Sequence, residues 1–256
     1  MIEKNLIIAA AVRNCENHLH NFLKNVDHVS NMFKKTKCIF VESDSSDNSL
    51  QILQEYKNSK KNIEVISLGN LQPRIRSRTE RISTARNIYL NIAERLKNDY
   101  DTLLVMDADE VNAQLFDEES IVSNFNYDNW DMICANQEVY YDLWALRHPE
   151  WMPFDCWAKA ANKPSFMNYE SARKIYVESR FIEINQSHPP IKVNSAFGGA
   201  AFIKINSIKG SRHIGIIEGK EICEWVPFCL SLNEGNSNIY INPKFINLKN
   251  KSEHIK

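Results

Sequence analysis

The sequence predicts an α/β protein built on a doubly wound, mostly parallel sheet. Three observations carry that prediction. Short apolar runs alternate four times with segments of helical apolar period, oxygen-rich polar turns follow the runs, and no Gly/Ser-rich or Pro-rich linker divides the chain. Leu6 to Val12 is apolar throughout, as an inner strand requires, and the turn Arg13 to Glu16 leads into a helix with a stripe at Leu19, Phe22, Leu23, Val26, Val29 and Phe33. A second strand, Cys38 to Glu42, ends in Ser43-Asp-Ser-Ser-Asp47, whose side-chain oxygens suit the start of a helix through Leu50, Leu53 and Tyr56. Ile63 to Ser67 makes the third strand. Beyond Pro73 a long helix from about Thr79 to Lys97 presents Ile82, Ala85, Tyr89, Ile92, Ala93 and Leu96, and Thr102 to Met106 is the fourth strand.

Past about Phe125 the rhythm changes. Strand-like pieces at Asp131 to Asn136 and Glu138 to Tyr141 lie close together, followed by an aromatic stretch with Trp144, Trp151, Phe154 and Trp157. We expect one continuous domain over residues 1–256, with a ligand-binding half at 1–112, a second half at 113–247, and a polar tail at 248–256 that frays. A chain of 256 residues that is 43% hydrophobic can bury a substantial core. Its 31 basic residues nearly balance 32 acidic ones, so no general attraction to nucleic acid or acidic membrane is expected. The apolar stretch near the start is too short to cross a bilayer, which points to a cytoplasmic protein without a transmembrane segment, although a peripheral membrane contact is compatible. Six scattered cysteines lack any Cys-x-x-Cys pair and argue against zinc or a disulfide scaffold.

The most informative motif closes the fourth strand. Asp107 and Asp109 stand at the carboxyl end of a buried strand, where ligands of open α/β sheets bind. Hard carboxylate oxygens there suit Mn²⁺ or Mg²⁺ carrying a diphosphate, although an acidic strand exit can also be merely solvated. Arg13 follows the first strand, and Glu42, Asp44 and Asp47 follow the second, groups able to hydrogen-bond a base or ribose. Helix capping is the competing use of such residues. Arg74, Arg76, Arg78, Arg81 and Arg86 form the densest basic patch, and Arg78 with Arg81 near a helix start suits a diphosphate, unless they are simply solvated. The first strand lacks a glycine-rich dinucleotide turn, and no Walker loop exists.

Taken together, Val12-Arg-Asn14, Glu42-Ser-Asp-Ser-Ser-Asp47, Arg81-Ile-Ser-Thr-Ala-Arg-Asn87 and Val105-Met-Asp-Ala-Asp109 resemble nucleotide-sugar glycosyltransferases of the GT-A fold. Tyr140-Tyr-Asp-Leu-Trp-Ala-Leu-Arg147, Asn194-Ser-Ala-Phe-Gly-Gly199 and Cys223-Glu-Trp-Val-Pro-Phe228 resemble more narrowly the fungal capsule α-1,3-mannosyltransferases and their bacterial relatives. The resemblance spans nearly the whole chain, and it implies that the half at 1–112 binds the nucleotide-sugar and the half at 113–247 binds the acceptor. It implies that Asp109 ligates the metal, that Asp107 meets the ribose or a metal-bound water, and that Arg81 or Arg86 faces the donor phosphates. On the acceptor side, Tyr140, Tyr141, Trp144, Trp151 and Trp157 are candidates to stack on sugar, with Asp142, Arg147 and His148 bonding hydroxyls and Gly198-Gly199 allowing close backbone approach.

The resemblance leaves stereochemistry open. An inverting enzyme needs a base, for which Glu221 and Glu224 are candidates, whereas the related mannosyltransferases are retaining. Those relatives often carry His where this chain has Trp225, so a metal-completing histidine is missing, and His213 or His254 is the candidate replacement. The expected function is metal-dependent transfer of a hexose from a UDP- or GDP-sugar to a glycan or lipid-linked saccharide. The alternatives are a sugar-phosphate nucleotidyltransferase and a catalytically silent sugar-binding protein.

Overall fold

The computed structural model describes residues 1–248. It opens with β1 (Ile2–Val12), α1 (Glu16–Ser30), β2 (Phe33–Glu42), α2 (Ser49–Ser59), β3 (Ile63–Ser67), α3 (Arg78–Arg95) and β4 (Thr102–Met106), the alternation read from the sequence. The expected helical residue Phe33 instead begins β2, because the first helix stops at Ser30. There follow α4 (Glu118–Ser123), β5 (Met132–Gln137), α5 (Cys156–Ala161), α6 (Tyr169–Tyr176), β6 (Ile191–Val193), β7 (Ala200–Lys204), α7 (Ile205–Ile208), the short pair β8 (Ile216–Ile217) and β9 (Lys220–Glu221), α8 (Trp225–Ser231) and β10 (Ile239–Leu248).

Eight strands form one sheet in the order β3-β2-β1-β4-β7-β5-β10-β6. β3, β2, β1 and β4 run parallel; β7 is antiparallel to both its neighbours, β5 pairs parallel with β10, and β6 closes the edge antiparallel. Successive strand side chains point to opposite faces, so an inner strand covered on both sides must be apolar throughout. β1 obeys this rule. Ile7 and Ala9 enter the core that α3 shares, whereas Leu6, Ile8 and Ala10 pack with Leu19, Phe22 and Val26 of α1 on the other face. The sheet is therefore wound on both sides, and the parallel strands end along one common edge.

Two corrections concern the second half. Glu138 to Tyr141 is not a strand, since only Tyr140 forms an isolated bridge, to Ile182. Leu248 is the last residue of β10 rather than the start of a tail, and the rest of the expected tail lies outside the described residues. No helix among the described residues is long and apolar enough to cross a membrane.

Candidate active site

The carboxyl ends of β1, β2 and β4 open into two adjoining clefts. The first, of about 310 Å³, is lined by Arg13, Asn14, Ser43, Asp44, Arg78 and Arg81. The second, of about 370 Å³, shares Arg13, Asn14 and Arg78 with it and runs on past Asp107 and Asp109 to Asp142, Trp144, Gly198, Gly199 and Glu224. Most of the residues expected to act thus lie along one continuous groove.

Asp107 and Asp109 owe their position to strand β7. Met106 of β4 faces Ala200 across an antiparallel ladder, which sets the preceding Gly198-Gly199 turn beside the two aspartates. Asp107 donates its N–H to the Gly199 carbonyl at 2.9 Å, and the buried Asn112 amide bonds both the Asp107 carbonyl (2.9 Å) and the Gly199 carbonyl (2.8 Å). Asn247 in turn donates to the Gly198 carbonyl at 2.7 Å, and Gln137 bonds the same atom. This carboxamide network fixes the strand end from behind. Gly198 has φ +67°, and a methyl group there would lie 2.3 Å from the Ala135 carbonyl oxygen. The two glycines are therefore required by packing, in addition to lining the groove.

Arg86 is the electrostatic centre. It is 3% exposed; its guanidinium donates to Asp107 Oδ1 at 3.1 Å and to the Tyr89 hydroxyl at 3.3 Å. Its Nε lies 3.1 Å from Glu224 Oε1 as an ion pair rather than an aligned hydrogen bond. The guanidinium carbon also lies 4.7 Å from the Trp225 ring centre and 5.0 Å from that of Phe197, two rings that stack at 4.0 Å. Burial opposes its charge, but Tyr89, Asp107 and Glu224 outweigh burial and keep it cationic. Burial raises the pKa of both Asp107 and Glu224, with Arg86 pulling each back down. Asp142 is pushed up to about 6, chiefly by burial and further by Asp107 and Glu224, against the lowering bond from the Gly198 N–H at 2.9 Å. Three carboxyls that burial makes harder to ionise therefore share the second cleft.

Several candidates serve the scaffold. Glu42 accepts from the Ser45 N–H at 3.0 Å and the Ser67 hydroxyl at 2.7 Å, and it does not line either cleft. Asp44 accepts from the Leu71 and Gln72 amides, both at 2.8 Å, while its second oxygen lies 3.5 Å from Arg81 Nε. Arg81 spends its other guanidinium edge on the Ile75 and Arg76 carbonyls, at 2.8 and 2.7 Å. Asp47 joins two helix starts, accepting from the Ser49 and Glu16 amides at 3.0 Å each. Glu221 accepts the Arg78 N–H at 3.1 Å at the start of α3 and is exposed outside the cleft. Arg147 bonds the Trp144 and Leu146 carbonyls and sits 3.5 Å from Asp155, and His148 accepts two amides of its own turn. Of the aromatics, Tyr141 and Trp144 line the groove, whereas Tyr140 and Trp151 pack edge to face at 5.0 Å and Trp157 faces outward.

The site residues that sequence reasoning missed are Asn112, Gln137 and Asn247. Isolated carboxamides carry no spacing signal, and only the fold shows that they converge. His213 lies behind the wall, stacked on Phe228 at 4.5 Å and edge-on to Trp225 at 4.6 Å, and burial together with Arg86 holds it neutral. His254 lies outside the described residues. Among the described residues no group of three or more His, Cys, Asp or Glu is arranged around a metal. Two carboxylates on a groove of about 370 Å³ nevertheless suit Mn²⁺ or Mg²⁺, which often take one or two protein carboxylates and complete the shell with phosphate and water.

A mostly parallel sheet with two aspartates at the end of its fourth strand defines the GT-A class of glycosyltransferase fold. Residues 8–181 match the model of glycosyl transferase family 2, and the chain belongs to that family. None of the curated proteins matches its sequence. Among solved structures it is similar to the mannosyltransferase PcManGT of Pyrobaculum calidifontis in complex with GDP-Man and Mn²⁺, at 10% identity and a TM-score of 0.56, covering 98% of this chain and 58% of that one. It is also similar to residues 1–349 of S. aureus TarS in complex with UDP-GlcNAc, at 15% identity and a TM-score of 0.53, covering 98% of this chain and 60% of that one. The chain thus spans less than two thirds of either. These likenesses carry the GT-A fold and do not reach the narrower grouping with capsule mannosyltransferases.

Proposed function

We propose that this protein transfers a hexose from a UDP- or GDP-sugar to a hydroxyl of a glycan or lipid-linked saccharide, with Mn²⁺ or Mg²⁺ bound at Asp107 and Asp109. The observation that supports this most is the convergence of those two aspartates, Arg86 and Glu224 on one groove that continues into the Asp44 cleft. The nucleoside belongs in the cleft of Arg13 and Asp44, with Arg78 at the junction toward the diphosphate. A bound divalent ion would offset the negative charge that grows on the leaving phosphate. Arg86 holds Asp107 in place and adds fixed positive charge that needs no solvent rearrangement. Glu224 is our choice for taking the acceptor proton in an inverting displacement. Burial makes it a stronger base than an exposed glutamate, and Arg86 fixes its orientation. Asp142 and Trp144, further along the groove, position the acceptor.

The test is hydrolysis of UDP- and GDP-sugars, followed by transfer to a panel of saccharides. Free sugar should appear with Mn²⁺, vanish on chelation and return on metal addition, and Asp109→Ala should lower the rate by about 10² to 10³ or more, by analogy with removing one preorganised electrostatic group. Turnover that survives both chelation and Asp109→Ala contradicts the assignment. Pyrophosphate release from a nucleoside triphosphate and a sugar phosphate would instead favour nucleotidyl transfer.

A further inference from the structure

Beyond the groove, the largest departure from an ordinary surface is the helical excursion formed by α5 and α6. It exposes Phe166 (88%), Tyr169 (51%), Ile175 (48%) and Trp157 (40%) within twenty residues. One such side chain is normal on a soluble protein, but four on one excursion are not. Across residues 155–178 the basic side chains Lys159, Lys163, Arg173 and Lys174 outnumber the acidic Asp155, Glu170 and Glu178 by one, on a chain whose net charge is −1. Glu170 pairs with Lys174 at 3.0 Å, and Arg173 with Glu178 at 2.9 Å, leaving Lys159 and Lys163 as cations with no ion-pair partner among the described residues.

The excursion is tied to the groove. Asp155 caps α5 through the Ala158 N–H at 2.8 Å, and the same carboxylate accepts from the Trp144 indole, a groove-lining residue, at 3.1 Å. We infer that the α5–α6 excursion docks on an anionic lipid bilayer. Aromatic side chains with polar edges settle at the headgroup level, aliphatic ones enter the acyl boundary, and lysines are drawn to anionic headgroups. The inference rests on the proposed transfer only for its purpose, which is to bring the Trp144 side of the groove to an acceptor carried on lipid. The surface itself is independent of that reading.

The experiment is co-sedimentation with phosphatidylcholine vesicles, with and without phosphatidylglycerol, at low and high salt. The intact protein should sediment with the anionic vesicles and be released by salt. Phe166→Ser combined with Trp157→Ser, and separately Lys159→Glu combined with Lys163→Glu, should each reduce partitioning by at least about tenfold. Metal-dependent donor hydrolysis in solution should be unchanged in both variants, since none of the four residues lines the groove. No sedimentation of the intact protein, or sedimentation of both variants equal to that of the intact protein, overturns the inference. So does a size-exclusion result in which the aromatic variant merely splits a dimer, because the surface would then join two copies of the chain. Vesicle binding without donor hydrolysis leaves the surface standing and removes the proposed transfer.

Discussion

The two sides of the groove differ in how the chain reaches them. On the proposed donor side β1 delivers Arg13, β2 delivers Asp44, and β4 delivers Asp107 and Asp109 to one edge by repetition of a single unit, while Arg78 and Arg81 come from α3. On the proposed acceptor side Asp142, Gly198 and Glu224 come from three separate segments, brought together by the antiparallel insertion of β7 and by the Gly198 N–H bond to Asp142. Regular topology brings polar residues together wherever the strands end. Irregular topology must be held in place residue by residue, and there burial raises the pKa of Asp142 and Glu224, as it also does for Asp107 at the end of a regular strand. The proposed donor side contains residues that brace it, such as Glu42 and Arg81, while two of the three carboxyls that burial raises, Asp142 and Glu224, lie on the proposed acceptor side.

The largest expected effect tests that contrast at Glu224. Glu224→Gln keeps the shape and leaves Arg86 bonded to Asp107, so thermal shift by the nucleotide sugar should persist while kcat falls by about 10² to 10⁴. Equal loss of donor binding would mean that Glu224 works through the donor side. A smaller and oppositely signed effect is expected at Asp142. A carboxyl whose pKa rises from 3.8 to about 6 on folding holds its proton more tightly in the folded state, so its stabilising contribution is present below about 4 and is lost as the pH climbs through 6. Asp142→Asn can still accept the Gly198 N–H, and it should therefore raise Tm at pH 7 by a few degrees, with the gain shrinking toward pH 4, while acceptor transfer weakens. A variant that melts lower at pH 7 would show that the carboxylate is net stabilising. The smallest effect belongs to Glu221, the other candidate base. Glu221→Gln should leave kcat unchanged and cost at most about 1 kcal/mol, since the exposed residue only accepts an amide at the start of α3. A fall in kcat comparable with that of Glu224→Gln would erase the distinction.

Much of the donor half was legible in the sequence because its signals are local and repeated. β3 spans Ile63 to Ser67 and β4 spans Thr102 to Met106, the limits that their β-branched and aliphatic runs suggest. The acceptor half was less legible because its elements depend on distant partners. β10 carries Asn242, Pro243 and Asn247 within its ten residues, an interrupted pattern that makes a strand only because Asn242 and Asn247 are buried and bonded to Ser123, Asn124 and Gly198. Likewise, the two-glycine turn could be assigned to close substrate approach from sequence, but its collision with Ala135 is visible only once β5 and β7 are paired. Trp225, noted first for standing where relatives often carry histidine, proves to be a 2% exposed ring beside Arg86, a role that no spacing could reveal.

The most direct test of the metal-and-diphosphate account is a thermal-shift titration of intact protein and Asp109→Ala with UDP- and GDP-sugars, with and without Mn²⁺. Ligand that binds only the folded state raises Tm by mass action. The account predicts a large shift for one nucleotide class that requires Mn²⁺ and disappears in Asp109→Ala. An equal shift without metal, or one untouched by the substitution, would contradict it.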